Sequence, residues 1–300
     1  MSILVLGSLN KDHVYCVEHM VRPGETLLSR DHKIFWGGKG FNQSVALQKA
    51  GATVAFACQI APSDEAIIRD LLRFYQLDDN LLSTDGTETG HAIIQLDYKG
   101  QNSILLYPGA NHEIKREWID RVLGFCGEED WILLQNEINN LDYIIYKAHE
   151  RGMKIALNPS PFQDDLLSLP LNLIDMFILN EVECEAFTGK SIQDDMMASM
   201  LQKYPEAKII LTLGKDGVVY KDKMCSHTLS AFPVKVVDTT AAGDTFTGYF
   251  LAEYIKSGEV KTALNIASKA AALAVTVKGA TNSIPDYSQV ETLSFEMKTQ

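Results

Sequence analysis

The chain has 300 residues, 46% of them hydrophobic, and its 27 Lys and Arg against 39 Asp and Glu residues give a net charge of −12. This length and hydrophobic content fit a globular protein with a sizeable core. The acidic balance, with no long run of Lys or Arg, argues against nucleic acid or an anionic membrane surface as a partner. No apolar stretch is long enough to predict a membrane-spanning helix. The five cysteines are scattered without a Cys-x-x-Cys pair, which predicts reduced thiols in a cytoplasmic protein.

Short apolar runs alternate with amphipathic segments along most of the chain. The apolar runs predict strands that are buried on both faces, at residues 3–7, 53–60, 131–135, 154–158, 176–180 and 208–213. Helical spacing of apolar residues is found at 64–75, 115–125, 141–151, 192–204, 242–256 and 260–277. Strands and helices that alternate at these lengths predict an α/β fold with a central, mainly parallel sheet.

Two segments, residues 11–36 and 89–107, interrupt this alternation. They contain turn signals at residues 22–25 and 97–100, which are typical of antiparallel strands. We therefore expect one α/β domain over residues 1–300 with a small β lid. Because open α/β sheets bind ligands at the carboxyl edge of their strands, a lid there would separate a substrate from water.

Residues 236–246 form the most informative segment. Phe246, Phe250 and Tyr254 recur every four residues, which predicts a helix that begins at or near residue 241. Three consecutive small residues stand at this start, namely Ala241, Ala242 and Gly243. They leave the first-turn N–H groups open, and such a helix N-terminus binds anions. Asp244 would lie beside the anion and could accept a proton from an attacking hydroxyl; the alternative is a carboxylate that only stabilises the helix N-terminus.

A second motif, Gly-Gly-Lys-Gly-Phe-Asn-Gln, occupies residues 37–43. Its glycines allow a ligand to approach the backbone closely, and residues 43–50 are predicted to form a helix. Taken alone the motif is weak, because Lys39 could be a solvated turn residue and Asn42 a helix N-cap.

Residues 188–191, Thr-Gly-Lys-Ser, imitate the end of a P-loop. The glycine that this motif needs five residues before Gly189 is Cys184, so a P-loop is not predicted. No Gly-x-Gly-x-x-Gly follows the first strand either, which leaves a dinucleotide-binding site without support.

Taken together, these motifs resemble the ribokinase family, within the wider PfkB superfamily of carbohydrate and adenosine kinases. The matching segments follow one another over essentially the whole chain, at 7–12, 23–26, 37–43, 157–159, 180–183, 212–214, 238–246 and 275–283. The resemblance implies a three-layer αβα domain with a β-sheet lid. It also implies an ATP-dependent phosphotransferase with an alcohol group as acceptor.

The resemblance further implies roles for individual residues. Asp244 would be the catalytic base, and the amides of Ala241, Ala242 and Gly243 would bind the γ-phosphate. The positions that resemble sugar contacts are Asn10, Asp12, Gly38, Lys39, Asn42 and Glu137. Those on the ATP side are Asn180, Thr212, Gly214, Gly217, Asn265 and Ser268, with Glu183 ordering Mg²⁺ through water. A monovalent cation, usually potassium, would be held by Asp238, Thr240, Ala274, Val277, Gly279 and Ser283.

The implied reaction is transfer of the γ-phosphate of ATP to a primary hydroxyl of a small sugar, with D-ribose as the first expectation. Another sugar, a sugar acid or a nucleoside remains open as the acceptor, and so does a non-catalytic sugar sensor. Residues 61–66, His91 and residues 97–102 depart from the family pattern near the sugar side, so these departures bear on the acceptor and not on the reaction. His13 and His91 are expected to be surface or packing residues of the lid. A homodimer that pairs through the lid is also expected.

Overall fold

The computed structural model describes residues 2–98 and 101–293. The helices are α1 (Lys39–Lys49), α2 (Glu65–Phe74), α3 (Arg116–Leu123), α4 (Leu141–Glu150), α5 (Glu181–Thr188), α6 (Gln193–Lys203), α7 (Ala242–Ser257), α8 (Val260–Ala274) and α9 (Tyr287–Thr292). The strands are β1 (Ile3–Leu6), β2 (Asn10–Cys16), β3 (Asp31–Gly37), β4 (Val54–Gln59), β5 (Leu82–Ser83), β6 (His91–Leu96), β7 (Asn102–Tyr107), β8 (Trp131–Gln135), β9 (Lys154–Asn158), β10 (Met176–Asn180), β11 (Lys208–Thr212), β12 (Val218–Lys221) and β13 (Ser226–Leu229).

The large sheet has nine strands in the order β13-β12-β11-β10-β9-β8-β1-β4-β5. The pairs from β5 to β11 are parallel, and only the edge pairs β11–β12 and β12–β13 are antiparallel. This confirms the predicted mainly parallel sheet. All six strands predicted from apolar runs lie in it, whereas the sequence analysis does not predict β5, β12 or β13.

Both faces of the large sheet are covered by helices. Along β1, Ile3 and Val5 belong to one hydrophobic core and Leu4 and Leu6 to the other. The first core receives side chains of α1, α2, α7 and α8, and the second those of α3 to α6. The protein is therefore a three-layer αβα structure, as expected, and this is why its parallel strands read as continuous apolar runs.

A separate sheet of four strands, in the order β3-β2-β6-β7, is formed by the two segments that interrupt the α/β alternation. We call it the small sheet. The strands β2 and β3, like β6 and β7, pair in antiparallel fashion, and the central pair β2–β6 is parallel. Part of the predicted turn at 97–100, Lys99 and Gly100, lies outside the described residues.

One prediction about a helix start is wrong. Helix α1 begins at Lys39 with Gly38 as its N-cap, so Asn42 lies inside the helix and is not a cap. The N-cap has φ = 94°, a conformation that glycine adopts without steric cost. The motif at 37–43 thus enters a helix directly and is not a long loop.

Within residues 2–98 and 101–293, no helix combines the length and hydrophobicity needed to cross a bilayer.

Candidate active site

The candidate site lies where the parallel strands of the large sheet end and the next helices begin. A cavity of about 240 Å³ opens there. It is lined by Lys39, Asn158, Ser160, Ile178, Leu179, Asn180, Glu183, Thr212, Thr239, Ala241, Gly243, Asp244 and Thr247. The structure thus brings together, around one cavity, residues that lie far apart in the sequence.

Asp244 is placed in the first turn of α7 and is 7% exposed. Asn42 Nδ2 donates to Asp244 Oδ2 at 3.0 Å, and Gln43 Nε2 donates to Oδ1 at 2.9 Å. Both carboxylate oxygens are therefore held by amides of α1. Each oxygen keeps a further lone pair, so the group can still accept a proton from a ligand in the cavity.

The start of α7 is open to an anion, although less completely than predicted. Ala241 is the N-cap and adopts a left-handed conformation with φ = 58°. A Cβ added at Gly243 would meet no atom within 4 Å, so the space above the first turn is free of protein. The amide of Ala242, however, donates to the carbonyl of Thr239 at 3.2 Å. Of the three amides predicted to bind the anion, this one is engaged within the loop.

Lys39 provides the positive charge of the site. Burial lowers the pKa of its ammonium, but the carboxylates of Asp244, Glu137 and Glu183 outweigh burial, and the net pKa is raised. Glu137 shows the reciprocal balance, since burial raises its pKa more than nearby Lys39 lowers it. Glu137 Oε2 also accepts the backbone amide of Lys39 at 2.9 Å and the hydroxyl of Ser8. The start of α1 is thereby fixed to the end of β8.

The predicted sugar contacts Asn10 and Asp12 extend from this centre along β2. Asn10 is buried, and its Oδ1 accepts from Asn111 Nδ2 at 2.8 Å. The carboxylate of Asp12 lies against the backbone of Gly37, because a Cβ there would come within 2.4 Å of Asp12 Oδ2. Burial, reinforced by the charge of Glu137, raises the pKa of Asp12 to about 7.

Asn180 and Glu183 form a reciprocal cap at the start of α5. Asn180 Oδ1 accepts the amide of Glu183 at 2.9 Å, and Glu183 Oε2 accepts the amide of Asn180 at 3.0 Å. Asn180 and Glu183 therefore satisfy each other's backbone amides and cap α5. Both residues also line the cavity beside Asp244, so they can contact a ligand there as well as cap the helix. A carboxylate together with an amide oxygen is a donor set suited to Mg²⁺ with its waters.

The predicted ATP-side residues fall into two groups. Thr212 ends β11 and lines the cavity, whereas Gly214, Gly217, Asn265 and Ser268 are not among the lining residues. Gly217 has a packing role of its own, since φ is 113° and a Cβ would lie 2.0 Å from the carbonyl oxygen of Leu229. Asn265 and Ser268 lie one turn apart on α8 and are half-buried.

The residues predicted to hold a monovalent cation lie on two segments that meet next to α7. Asp238 joins them, because its Oδ1 accepts from Thr240 Oγ1 at 2.6 Å and its Oδ2 accepts the amide of Gly279 at 3.0 Å. Burial raises the pKa of Asp238, but these hydrogen bonds and the charge of Lys278 together lower it by more than burial raises it. The net pKa of Asp238 is therefore below its usual range. Ser283 donates to the carbonyl of Ala280 at 2.7 Å. Ala274 ends α8, and its carbonyl accepts the amide of Val277 at 3.1 Å. Carboxylate, hydroxyl and carbonyl oxygens are a donor set that fits a hard cation.

Several site residues are absent from the sequence-based assignment. Gln43, Asn158 and Thr239 stand in recognised motifs, but nothing in the sequence shows that they meet at one cavity. Ser160 and Thr247 carry no signal beyond a small polar side chain. Gln43 Nε2 donates to Asn158 Oδ1 at 3.0 Å, and Gln43 Oε1 accepts from Gln135 Nε2 at 2.8 Å. These bonds join residues that are 115 and 92 positions apart in the sequence. Local sequence patterns do not predict contacts over such separations.

Comparison with known proteins identifies the family. Residues 1–287 match the family described as "pfkB family carbohydrate kinase". The chain belongs to this family. It is 36% identical to the ribokinase of Haemophilus influenzae, with 98% of each chain covered. Its fold is similar to that of Thermotoga maritima ribokinase, with a TM-score of 0.85, 31% identity and coverage of 97% of this chain and 98% of the other. The Arabidopsis thaliana ribokinase complexed with ribose and ATP gives a TM-score of 0.83 at 25% identity, covering 98% of this chain and 99% of the other.

Proposed function

We propose that this protein is an ATP-dependent sugar kinase that phosphorylates a primary hydroxyl of a small sugar, with D-ribose as the acceptor and ribose 5-phosphate as the product. The observation that carries this proposal is Asp244, a buried carboxylate in the first turn of α7 whose two oxygens are held by Asn42 and Gln43. It shares a cavity with Lys39 and with the polar residues that end β10 and β11. The ribokinases among its relatives support ribose as the acceptor.

The reaction is an in-line phosphoryl transfer. Asp244 accepts the proton of the sugar hydroxyl as that oxygen forms a bond to the γ-phosphorus. The bond between the γ-phosphorus and the bridging oxygen breaks, and ADP leaves with the electron pair. The helix N-terminus at 241–243 and the ammonium of Lys39 stabilise the charge on the transferring group.

Two cations complete the proposed site. Asn180 and Glu183 would hold Mg²⁺ through water, and bound Mg²⁺ neutralises charge on the ATP phosphates. The oxygens of Asp238, Thr240 and Ser283, with the carbonyls of Ala274, Val277 and Gly279, would hold K⁺. In that position K⁺ is proposed as an activator that acts through the loop before α7.

The distribution of basic residues favours a free sugar over a phosphosugar. Lys11 neighbours Asp12 in β2, but successive side chains of a strand point to opposite faces, and Lys11 pairs instead with Asp64 at 3.6 Å. Arg30 lies on the surface and pairs with Glu18 at 3.6 Å. Of the basic residues considered, only Lys39 remains beside the cavity, and its charge is already balanced by carboxylates.

The small sheet is proposed to act as a lid and as a dimer interface. Asn10 and Asp12 place one of its faces next to the sugar site, and strongly exposed apolar side chains continue outward on the sheet. A second copy of this chain is the proposed partner for that surface. A cytoplasmic location is proposed because all five cysteines are free thiols.

The test is ATP consumption with Mg²⁺ and K⁺ over a panel of ribose, 2-deoxyribose, other pentoses, hexoses, sugar acids and nucleosides. We expect turnover with ribose, and a decrease in kcat of about 10²–10⁴-fold for Asp244→Asn, the range typical of general-base assistance. Asp142→Asn, an exposed change in the first turn of α4, is the matched control and should retain full activity. Sugar binding without turnover on any acceptor would contradict the kinase and favour the sensor.

A further inference from the structure

A chain of buried amides connects Asp244 to the ends of two strands. Gln43 is fully buried and is its central member. Gln43 Nε2 donates to Asp244 Oδ1 at 2.9 Å and to Asn158 Oδ1 at 3.0 Å, and Gln43 Oε1 accepts from Gln135 Nε2 at 2.8 Å. Helices α1 and α7 and strands β8 and β9 each contribute one member.

The charge of Asp244 fixes the direction of every bond in this chain. An ionised carboxylate only accepts hydrogen bonds, so the amide nitrogen of Gln43 must face it. The oxygen of Gln43 must then face Gln135, which has to present its own nitrogen. Asn158 is oriented from the other side, because its Nδ2 donates to the carbonyl of Ile178 at 2.8 Å. Its oxygen is thereby directed at Gln43.

Two buried acceptors around Asp244, Gln135 Oε1 and Asn42 Oδ1, are unpaired among the described residues. Gln135 Oε1 lies against Gly7, where a Cβ would come within 2.3 Å of it. An unpaired buried acceptor destabilises a fold, but an apolar side chain at Gln135 would only move this penalty, because Gln43 Oε1 would then lose its donor. Gln135 therefore satisfies the oxygen of Gln43 and fixes the direction in which the amide of Gln43 faces.

We propose that Gln43 is a positioning residue that fixes the carboxylate of Asp244 for proton transfer, and that Gln135 acts through Gln43. With Asn42 on Oδ2 and Gln43 on Oδ1, the plane of the carboxylate is held from both sides. A base fixed in this way stays in the orientation that can accept the proton, and effective catalysis depends on this alignment of reacting groups. This inference rests on the proposed function.

The first variant is Gln43→Met, which keeps the length of the side chain and removes both donors. We expect kcat with ribose to fall about 10²-fold, the size of effect that a small misplacement of a reacting group produces. The KM values for ribose and ATP should stay within about twofold, because Gln43 does not line the cavity. The matched control is Gln59→Met, a buried glutamine whose hydrogen bonds go to Ser83 and Ala110. It should lower Tm similarly and leave kcat unchanged.

The second variant tests the route from Gln135. Gln135→Met should lower kcat less than Gln43→Met does, and the double variant should be no slower than Gln43→Met alone, because both substitutions remove the same orientation of Asp244. Additive losses in the double variant would overturn the claim that Gln135 acts through Gln43.

A crystal structure of Gln43→Met provides a readout that needs no turnover. We expect the carboxylate of Asp244 to rotate away from its wild-type orientation while α7 stays in place. An unchanged carboxylate, or a kcat equal to that of Gln59→Met, would overturn the proposal. A wild-type protein that phosphorylates none of the acceptors would refute the proposed function, and the crystal comparison would still decide whether Gln43 positions Asp244.

Discussion

At the scale of single residues, the site is a balance of several carboxylates against one ammonium. Lys39 is influenced by Asp244, Glu137 and Glu183, and its raised pKa keeps it charged. Asp12 lies further along β2, and within residues 2–98 and 101–293 no Lys or Arg forms an ion pair with it. Burial and the charge of Glu137 both disfavour its ionised form. Asp12 is therefore a site residue whose protonation changes with pH near neutrality.

This pKa makes stability depend on pH. The pKa of Asp12 is about 7 in the folded protein against an ordinary value of 3.8, so between these pH values the folded state binds more protons than the unfolded one. Stability is then lost as pH rises from about 4 to about 7. We expect Asp12→Asn, which removes the titration, to gain a few degrees in Tm relative to wild type between pH 5 and pH 8. The measurement is Tm against pH without sugar.

The matched control for Asp12 is Asp31→Asn, in the neighbouring strand β3. Asp31 has a side chain 47% exposed and pairs with Lys33 at 3.2 Å. Its Tm difference from wild type should stay constant over the same pH range. A constant difference for Asp12→Asn as well would show that its carboxyl does not titrate in this window.

The sequence predicts many of these residues but not the bonds between them. Asp244 is identified from its place after three small residues, and Lys39, Asn42 and Gln43 from their motif. The bond between Gln43 and Asp244 spans 201 positions, and its direction depends on a charge that becomes buried only after folding. Gly217 illustrates the opposite case, because the family resemblance implies a nucleotide contact there, while the structure shows a close backbone approach to Leu229.

At the scale of elements, the site depends on how closely α1 packs against α7. Helix α1 carries Asn42 and Gln43, and α7 carries Asp244. Where the two helices cross, a Cβ on Gly248 would lie 2.4 Å from Ala46 Cβ and 2.8 Å from the backbone nitrogen of Leu47. Glycine at this point therefore sets the distance between the base and the amides that hold it.

We expect Gly248→Ala to lower both stability and activity. Alanine in a helix is favoured over glycine by about 1 kcal/mol, but relief of such close contacts must move the backbone, and overpacking costs about 1–3 kcal/mol. We expect the free-energy cost of overpacking to exceed the gain in helix propensity, so Tm should fall. Because α1 moves away from α7, kcat should fall as well, about tenfold or more. Thermal unfolding and steady-state kinetics measure the two effects.

The matched control is Gly127→Ala, in the loop before β8. A Cβ there would meet only Asp130 Oδ2 at 3.7 Å, an ordinary contact distance, so both Tm and kcat should stay near wild type. A Gly248→Ala protein with lower Tm and unchanged kcat would show that the spacing of the helices does not control the site.

The accuracy of the element predictions follows from burial. Strands of the parallel sheet are apolar on both faces, and amphipathic helices show a clear period, so both are visible in the sequence. The start of α1 is missed because Gly38 and Gly40 favour a loop by local preference. Tertiary packing decides otherwise, since Phe41 is fully buried in the core. The hairpin β12–β13 is missed because its strands have four residues each, too few for a periodic signal.

At the scale of the whole molecule, the unusual feature is an exposed apolar surface on an acidic protein. The small sheet has two faces, and register assigns the side chains to them. Asp12 pairs with Phe35 and Ala92, and Ala92 pairs with Leu106. The face that carries Asp12 continues outward through Val14, Ile94 and Ile104.

The opposite face mixes polar side chains with exposed apolar ones, among them Ile34 and Ile93. It carries Lys11, His13 and His91; His91 pairs with Tyr107, and His13 pairs with Ile93, which in turn pairs with Leu105. The ring of His13 stacks on that of His32 with centroids 5.3 Å apart and meets the ring of His91 edge-on at 6.2 Å. We call the face with Asp12, Val14, Ile94, Ile104 and Leu106 the apolar face. Because this face borders the proposed sugar site, a partner bound there would bury its apolar side chains and would also close the site.

We expect Ile104→Glu combined with Leu106→Glu to convert a dimer into a monomer. Both residues lie on the apolar face and are 58% and 38% exposed; two buried negative charges without partners would oppose association. Leu105→Glu is the matched control, because Leu105 is 68% exposed on the opposite face of the same strand.

Light scattering after size exclusion should give twice the chain mass of 33.3 kDa for wild type and the control, and the single mass for the double variant. The KM for ribose should rise only in the double variant, because its lid lacks the second copy. A wild-type monomer, or dissociation caused by Leu105→Glu alone, would contradict this assignment of the interface.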